Sequence, residues 1–300
     1  MRVAALDLGS NTSLLLIAEV ENGRLVKVLR DENNVTRMGQ EVHARRRFHP
    51  DALARMEACL AQYGEFIRAA QCDKVIAVAT SAARDVANGA ELIDIGKRHG
   101  IPIHIISGPR EAELTYRGAL CDRSSTEHLA VVDVGGGSTE VIGAYEGSPR
   151  GISIDVGSVR LTEMFLPDHP VGAEALKALG QHIEKSFAGA QLDRLEITEV
   201  VAVAGTPTTL AALELGRPFS EEHVHRFRLE LATIERWIQH LARLGVAERE
   251  RLPGMQPKRA DVIVAGAMIL AGAMRALRKE AITVSTLGVR YGVALACKEF

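Results

Sequence analysis

One short pattern occurs twice in this chain and restricts the fold more than any other feature. VAALDLGSNTSLLLIAEV (3–20) and LAVVDVGGGSTEVIGAY (129–145) each run from an apolar strand through Asp-apolar-Gly into a turn of small polar residues, then out along a second apolar strand. Asp7 aligns with Asp133 and Gly9 with Gly135, 126 residues further on. Apolar runs bounded by Gly, Ser and Asn read as a β-hairpin. A single domain ordinarily takes about 100–200 residues. Two hairpins in 300 residues therefore point to two domains of like topology, related by duplication. The polar stretch CDRSSTEH (121–128) suits the crossover between them, giving expected domains of 1–120 and 121–300.

Between the hairpins the pattern alternates strand and helix, which defines an α/β fold. Leu53, Met56, Leu60, Tyr63 and Ile67 recur at helical spacing behind Pro50 and Asp51. KVIAVAT (74–80) and IPIHIIS (101–107) read as strands, with a helix capped by Asn88 between them. Ser107 caps a further helix that has Pro109 and Glu111 in its first turn. In the second half, strands are expected at 151–158, 199–205 and 281–286. Helices are expected around 172–187, from Pro207, over 233–244, over 259–277 and over 287–298. The last of these is free to pack back on the first domain.

Composition removes several function classes. Apolar residues make up 47% and charged residues 25%, which excludes disorder as the main state. Net charge is −2, so no global basic field exists to hold nucleic acid or a membrane surface. The longest apolar run, Val262 to Met274, is shorter than the roughly 20 residues of a membrane span. Asp7 interrupts the N-terminal apolar run too early for a signal peptide. Cys59, Cys72, Cys121 and Cys297 form no CxxC pair and read as free, mostly buried thiols of a cytoplasmic protein.

Three turns carry candidate chemistry. In the first, Asp7 precedes Gly9, Ser10, Asn11 and Thr12, where backbone N–H groups and small polar side chains can donate to a phosphate. A plain hairpin turn reads the same residues without a ligand. In the second, Gly135, Gly136, Gly137 and Ser138 lie between Asp133 and Glu140. Three successive glycines suit a backbone that something must approach closely, and two carboxylates beside a phosphate cradle are a Mg²⁺ arrangement. In the third, Gly205 and Thr206 follow a strand and open a helix, whose free N–H groups favour an anion. Arg37 with Arg45, Arg46 and Arg47 either extends a polyanion track or forms a solvated loop. His223 and His225 could share one face of a strand, and Trp237 reads as packing.

DLGSNT, TSAARD, ISGPREAEL, DVGGGSTE, AGTPTTLAAL and KRADVIVAG, in this order and spacing, resemble the exopolyphosphatase / guanosine pentaphosphate phosphohydrolase family. The resemblance covers Asp7 to Tyr291 and is to the short form of the family, which lacks extra C-terminal helical domains. It implies two similar actin-like (ribonuclease H-like) domains with an interdomain cleft, within the actin-like, sugar kinase and Hsp70 ATPase superfold. It also implies roles. Glu111 falls on the catalytic acid, and Arg110 stands where the family often has a second acid. Asp133 and Glu140 match metal positions, with Asp7 as a further candidate. Asn11, Gly136, Gly137, Ser138 and Arg84 match phosphate contacts, and Arg259 falls on another.

The implied activity is hydrolysis of the terminal phosphoanhydride of inorganic polyphosphate by a Glu-activated water, with Mg²⁺ or Mn²⁺, and with pppGpp as a further substrate. The family also suggests a homodimer. An ATP-dependent kinase of the same superfold and a non-catalytic (p)ppGpp sensor are the alternatives that the residues leave open.

Overall fold

A computed structural model describes residues 1–145, 148–190, 192 and 197–300. The chain divides into two compact units, Met1–Arg123 with Leu287–Phe300, and Ser124–Thr286. The division at 120/121 thus shifts slightly, and the C-terminal residues from Leu287 belong with the first unit rather than the second.

The first unit runs β1 (Arg2–Leu8), β2 (Thr12–Glu21), β3 (Arg24–Val35), α1 (Val42–Arg45), α2 (Pro50–Ala69), β4 (Lys74–Ala79), α3 (Ser81–Arg84), α4 (Gly89–Arg98), β5 (Ile103–Ile105) and α5 (Gly108–Ala119). The second runs β6 (Leu129–Val134), β7 (Thr139–Tyr145), β8 (Ser148–Ile154), α6 (Ser158–Phe165), α7 (Ala173–Ala188), β9 (Glu199–Val203), α8 (Gly205–Leu215), α9 (Glu221–Val224), β10 (Arg228–Glu230), α10 (Leu231–Ala242), α11 (Val246–Glu250), α12 (Ile263–Ala276) and β11 (Ala281–Val284). The chain then returns to the first unit as α13 (Val289–Leu295).

The two sheets share one plan. In the first the order is β3-β2-β1-β4-β5, and in the second β8-β7-β6-β9-β11, with β10 added at the far edge. In each, an antiparallel meander of three strands is continued by two parallel ones. The repeated Asp-apolar-Gly turn therefore follows the central strand, where the connection direction reverses. Ligands in open α/β sheets bind outside the carboxyl ends of strands at such a point.

Burial explains the apolar patterning. Along β1, Ala4, Leu6 and Leu8 pack under α2 and α4, while Val3 and Ala5 pack against α5 and α13. A strand covered on both faces needs a continuous apolar run, which Val3, Ala4, Ala5 and Leu6 supply. On the α5 face, Gly118 lies against Gly288 and Gly292, and a Cβ at Gly292 would overlap the Leu114 carbonyl. The helix bearing Glu111 thus seats against α13 without an intervening side chain.

Several expectations are corrected. The strand placed at 151–158 ends at Ile154, and Ser158 begins α6. His223 lies in the short helix α9 rather than on a strand face, and His225 follows it, with Nδ1 accepting from Thr286 N. Asn88 precedes α4 but does not cap it with its side chain. Its Oδ1 accepts from Phe48 N and its Nδ2 donates to Glu91. The helix expected from Arg259 begins at Ile263, leaving Arg259 in a 3-10 turn. Cys121 is exposed, Cys59 and Cys297 are buried, and all four thiols are free. No helix of the described residues is long and apolar enough to cross a membrane.

The α5–α13 contact is testable. Gly292→Ala should destabilise the protein by about 1–3 kcal/mol, the usual range for forcing an extra methyl into a close-packed contact. A urea midpoint equal to that of the parent would show that the helices can move apart freely.

Candidate active site

Each unit builds its phosphate-type turn by the same backbone device. In the second unit, Ser158 N donates to Gly135 O at 2.9 Å, and Val159 N and Arg160 N donate to Gly136 O at 2.9 and 3.1 Å. Arg160 Nε donates to Gly137 O at 2.7 Å. Across a trans peptide the carbonyl and the next N–H point oppositely. Fixing these three carbonyls on α6 therefore turns the N–H groups of Gly136, Gly137 and Ser138 the other way. None of those three donates to another backbone group among the described residues. Convergent N–H groups of this kind make an anion-binding concavity. Arg160 was missed from sequence because α6 itself was missed. The spacing of Leu161, Met164 and Phe165 at i, i+3 and i+4 behind Gly157-Ser158 is the available signal.

Asp133 and Glu140 are cross-strand partners in the β6–β7 ladder, on either side of the glycine turn. Both are buried. The hydroxyls of Ser138 and Ser153 donate to Glu140 Oε1 at 2.8 and 2.7 Å and orient that carboxylate. Among the described residues no group of three or more His, Cys, Asp or Glu gathers around a metal position. Mg²⁺ commonly takes only one or two carboxylates and fills its remaining positions with water and phosphate oxygens. The Asp133–Glu140 pair fits that habit.

The third turn lies beside this cradle, because β6 and β9 are parallel neighbours with Asp133 opposite Val203. Ala204 has φ 74° and ψ −170°, a region populated essentially by glycine alone. Gly205 follows, and a Cβ there would overlap the guanidinium of Arg259, which lies directly against it. Thr206 is buried in the first turn of α8. Burial pushes the Arg259 guanidinium down to about 10, against the opposing pull of Asp261. A desolvated cation thus sits at the positive end of a helix, an arrangement that favours an anion.

In the first unit, Ser10 O accepts from Gly39 N at 2.6 Å, and Asn11 O accepts from Thr36 N and Arg37 N at 3.1 and 3.0 Å. Pinning Ser10 O turns the Asn11 N–H outward, and the buried Asn11 Nδ2 has no hydrogen-bond partner. An orphaned buried donor beside a turn of this shape fits a ligand oxygen. Arg37 holds this turn through its backbone at φ 52°. Thr12 begins β2, and the Ser10 hydroxyl meets that of Ser81 at 2.9 Å. Asp7 is half-buried at the end of β1, and its charge is felt by Arg290, which makes a bidentate contact with Asp31 at 2.9 and 2.8 Å. Asp7 thus lies in the field of a neighbouring cation.

Glu111 is 7% exposed in the first turn of α5. Arg84 Nη1 donates to its Oε2 at 2.7 Å and to Ile106 O at 3.0 Å. Burial raises the Glu111 carboxyl above the ordinary glutamate value, and Arg84 and Thr80 pull it back only in part. Arg110 points elsewhere: it bridges Glu113 at 2.7 Å and Glu299 at 2.6 Å. Arg45, Arg46 and Arg47 each meet a local acid, Glu41, Asp85 and Glu91. Trp237 is half-buried and also donates from Nε1 to Glu214 at 2.8 Å.

Each unit thus carries a turn with amide groups suited to a phosphate, the second with paired buried carboxylates and the first with a buried glutamate held by a half-buried arginine. The Ppx/GppA phosphatase family matches residues 16–298, and the chain belongs to that family. Exopolyphosphatase 2 of Mycobacterium tuberculosis is 36% identical over 98% of both chains. The crystal structure of the Aquifex aeolicus Ppx/GppA family member is 30% identical, with a TM-score of 0.82 over 100% of this chain and 98% of that one. An exopolyphosphatase from Cytophaga hutchinsonii is 26% identical, with a TM-score of 0.89 over 100% of this chain and 98% of its own. The protein is thus an enzyme of two actin-like domains.

The strain at Ala204 yields a prediction. Ala204→Gly should raise stability by about 1 kcal/mol, the lower end of the cost of such a backbone conformation. A thermal midpoint at or below that of the parent would mean the conformation is not strained.

Proposed function

We propose that the protein is an exopolyphosphatase that hydrolyses the terminal phosphoanhydride of inorganic polyphosphate and releases orthophosphate, with pppGpp as a second substrate. The observation that carries this reading is that each unit has a turn whose carbonyls are held by neighbouring donors, so that the following N–H groups face the other way. A turn of this kind suits the oxygens of a phosphoryl group. The similarity to two exopolyphosphatases supports the same substrate class.

In this reading Gly136, Gly137 and Ser138 donate their N–H groups to phosphoryl oxygens, and Asn11 donates through its backbone and Nδ2. Arg259, and Thr206 at the head of α8, add donors for further oxygens. Asp133 and Glu140 are the residues that would hold Mg²⁺, or Mn²⁺ in its place, and the ion would offset charge building on the phosphoryl group. Glu111 accepts a proton from the attacking water, with Arg84 orienting its carboxylate. A base works best with a pKa close to the working pH, and burial moves Glu111 in that direction. Little covalent chemistry is asked of the protein, so positioning and electrostatics carry the rate.

The deciding experiment supplies polyphosphates of defined length, pppGpp and ATP, with and without Mg²⁺, and measures phosphate release. Label passing from ATP to a small acceptor would indicate a kinase instead, and binding without release a sensor.

Glu111→Gln should leave substrate affinity within a few-fold and lower turnover by about 10²–10⁴-fold, the range of general-base catalysis. In the parent, activity should rise with pH through a value above that of ordinary glutamate. Arg84 pulls the carboxyl down, so Arg84→Ala should move this acid limb to higher pH. An unmoved limb would show that another group titrates there.

Asp133→Ala and Glu140→Ala should each raise the Mg²⁺ concentration needed for half-maximal phosphate release. Titration curves that overlay that of the parent would place the ion elsewhere.

A further inference from the structure

Two pairs of hydroxyls are buried near the first turn, and they differ in where their second proton goes. Ser13 Oγ and Thr36 Oγ1 lie 2.9 Å apart, and Ser13 donates onward to Met56 Sδ at 3.7 Å. Thr36 then supplies the bond between the two, so both protons have an acceptor inside the fold. Ser10 Oγ and Ser81 Oγ also lie 2.9 Å apart. One bond between two hydroxyls uses one of their two protons. Among the described residues neither of these oxygens has another hydrogen-bond partner, and both side chains are buried. The pair sits where two turns meet. β1 and β4 are parallel neighbours with Leu8 opposite Ala79, so the turns at 9–12 and 80–81 leave the sheet side by side. Thr80 N donates to Leu8 O at 3.4 Å. β6 and β9 stand in the same relation in the second unit, where the turn after β9 carries Gly205 and Thr206. Ser81 is thus the first unit's counterpart of that turn. Gly39 closes one side of Ser10, where a Cβ would come within 2.9 Å of Ser10 Cβ. Asn11, next in the chain, has its buried Nδ2 without a partner.

We propose that Ser81 is a phosphate-binding residue of the first unit, acting as a pair with Ser10 that gives its second proton to a phosphoryl oxygen at the Asn11 turn. Two donors lack an acceptor here, the spare hydroxyl proton and Asn11 Nδ2, and they come from one cluster of residues. An anion with several oxygens answers both. A buried donor left unsatisfied costs stability, so the free protein bears that cost and the ligand removes it. Ser81 opens α3, and Arg84 at its other end holds Glu111 at 2.7 Å. A phosphoryl group bound by the pair therefore sits about one helical turn from the arginine that orients the base. The inference rests on the reading of the first turn as a phosphate site.

The test is the Kd of inorganic tripolyphosphate by calorimetry, with the thermal midpoint of each ligand-free protein measured beside it. The whole chain is compared with Ser10→Ala, Ser81→Ala, the Ser10→Ala/Ser81→Ala double variant and Asn11→Ala. The double variant removes the spare donor together with its partner. It should bind about tenfold more weakly, the usual loss for one hydrogen bond to a charged group, while its midpoint stays level with that of the parent or rises. Each single variant keeps one hydroxyl that has lost its orienting partner, and it should lose a few-fold in affinity. A double variant that binds like the parent overturns the proposal. A double variant with a lowered midpoint, or one that does not fold, overturns it too, because the pair then braces the turn instead of serving the ligand. If Asn11→Ala weakens binding and the serine variants do not, the proposal fails and the phosphate reading of the turn stands. If none of the four variants changes the Kd, that reading fails and takes the proposal with it.

Discussion

The capture of turn carbonyls by neighbouring N–H groups is the interaction on which the site depends. In the second unit the first turn of α6 takes Gly135 O and Gly136 O, and the Arg160 side chain takes Gly137 O. In the first unit the segment around Thr36–Gly39 takes Ser10 O and Asn11 O. Left to solvent, these turns would sample many orientations, and glycine would make that sampling wider. Once the carbonyls are held, the amides have one direction left. The geometry of these turns is thus built mainly from backbone contacts, with the Arg160 side chain holding Gly137 O.

Beside this backbone frame two charged groups share one property. Glu111 and Arg259 are each removed from water, and each has a neighbour whose pull is weaker than the penalty of burial. Glu111 is offset by Arg84 yet remains raised, and Arg259 is offset by Asp261 yet remains lowered. Surface ion pairs are worth little, and those formed by Arg45, Arg46 and Arg47 with local acids are of that kind. Buried, partly compensated groups are where perturbed acid–base chemistry concentrates. That contrast sets Arg259 apart from the basic run at Arg45, Arg46 and Arg47.

The duplication also accounts for what departs from it. The same strand order holds in both sheets, so the two Asp-Gly turns occupy equivalent points. Their supports differ: a helix N-terminus braces one turn and the turn-forming segment Thr36–Gly39 the other. Asp133 has Glu140 across the ladder, whereas Asp7 has Leu14 there and feels Arg290. Equivalent positions have thereby acquired unequal chemistry, and only the second turn keeps a pair of carboxylates.

The α/β class, the hairpin repeat and the identity of the glycine turns were legible in the sequence, because they depend on residues close together in the chain. Apolar runs specify buried strands, and Asp-apolar-Gly followed by small residues specifies a turn that a ligand can approach. Tertiary structure alone decided what long-range contact controls. It set Arg84 on Glu111, turned Arg110 towards Glu299, laid Arg259 over Gly205, and made α6 the brace of the glycine turn. The helix α6 is hard to read because its eight residues make only about two turns, too few for periodicity to stand out. The arginine partnerships went unread because a guanidinium on a long side chain can reach many neighbours, and only packing selects among them.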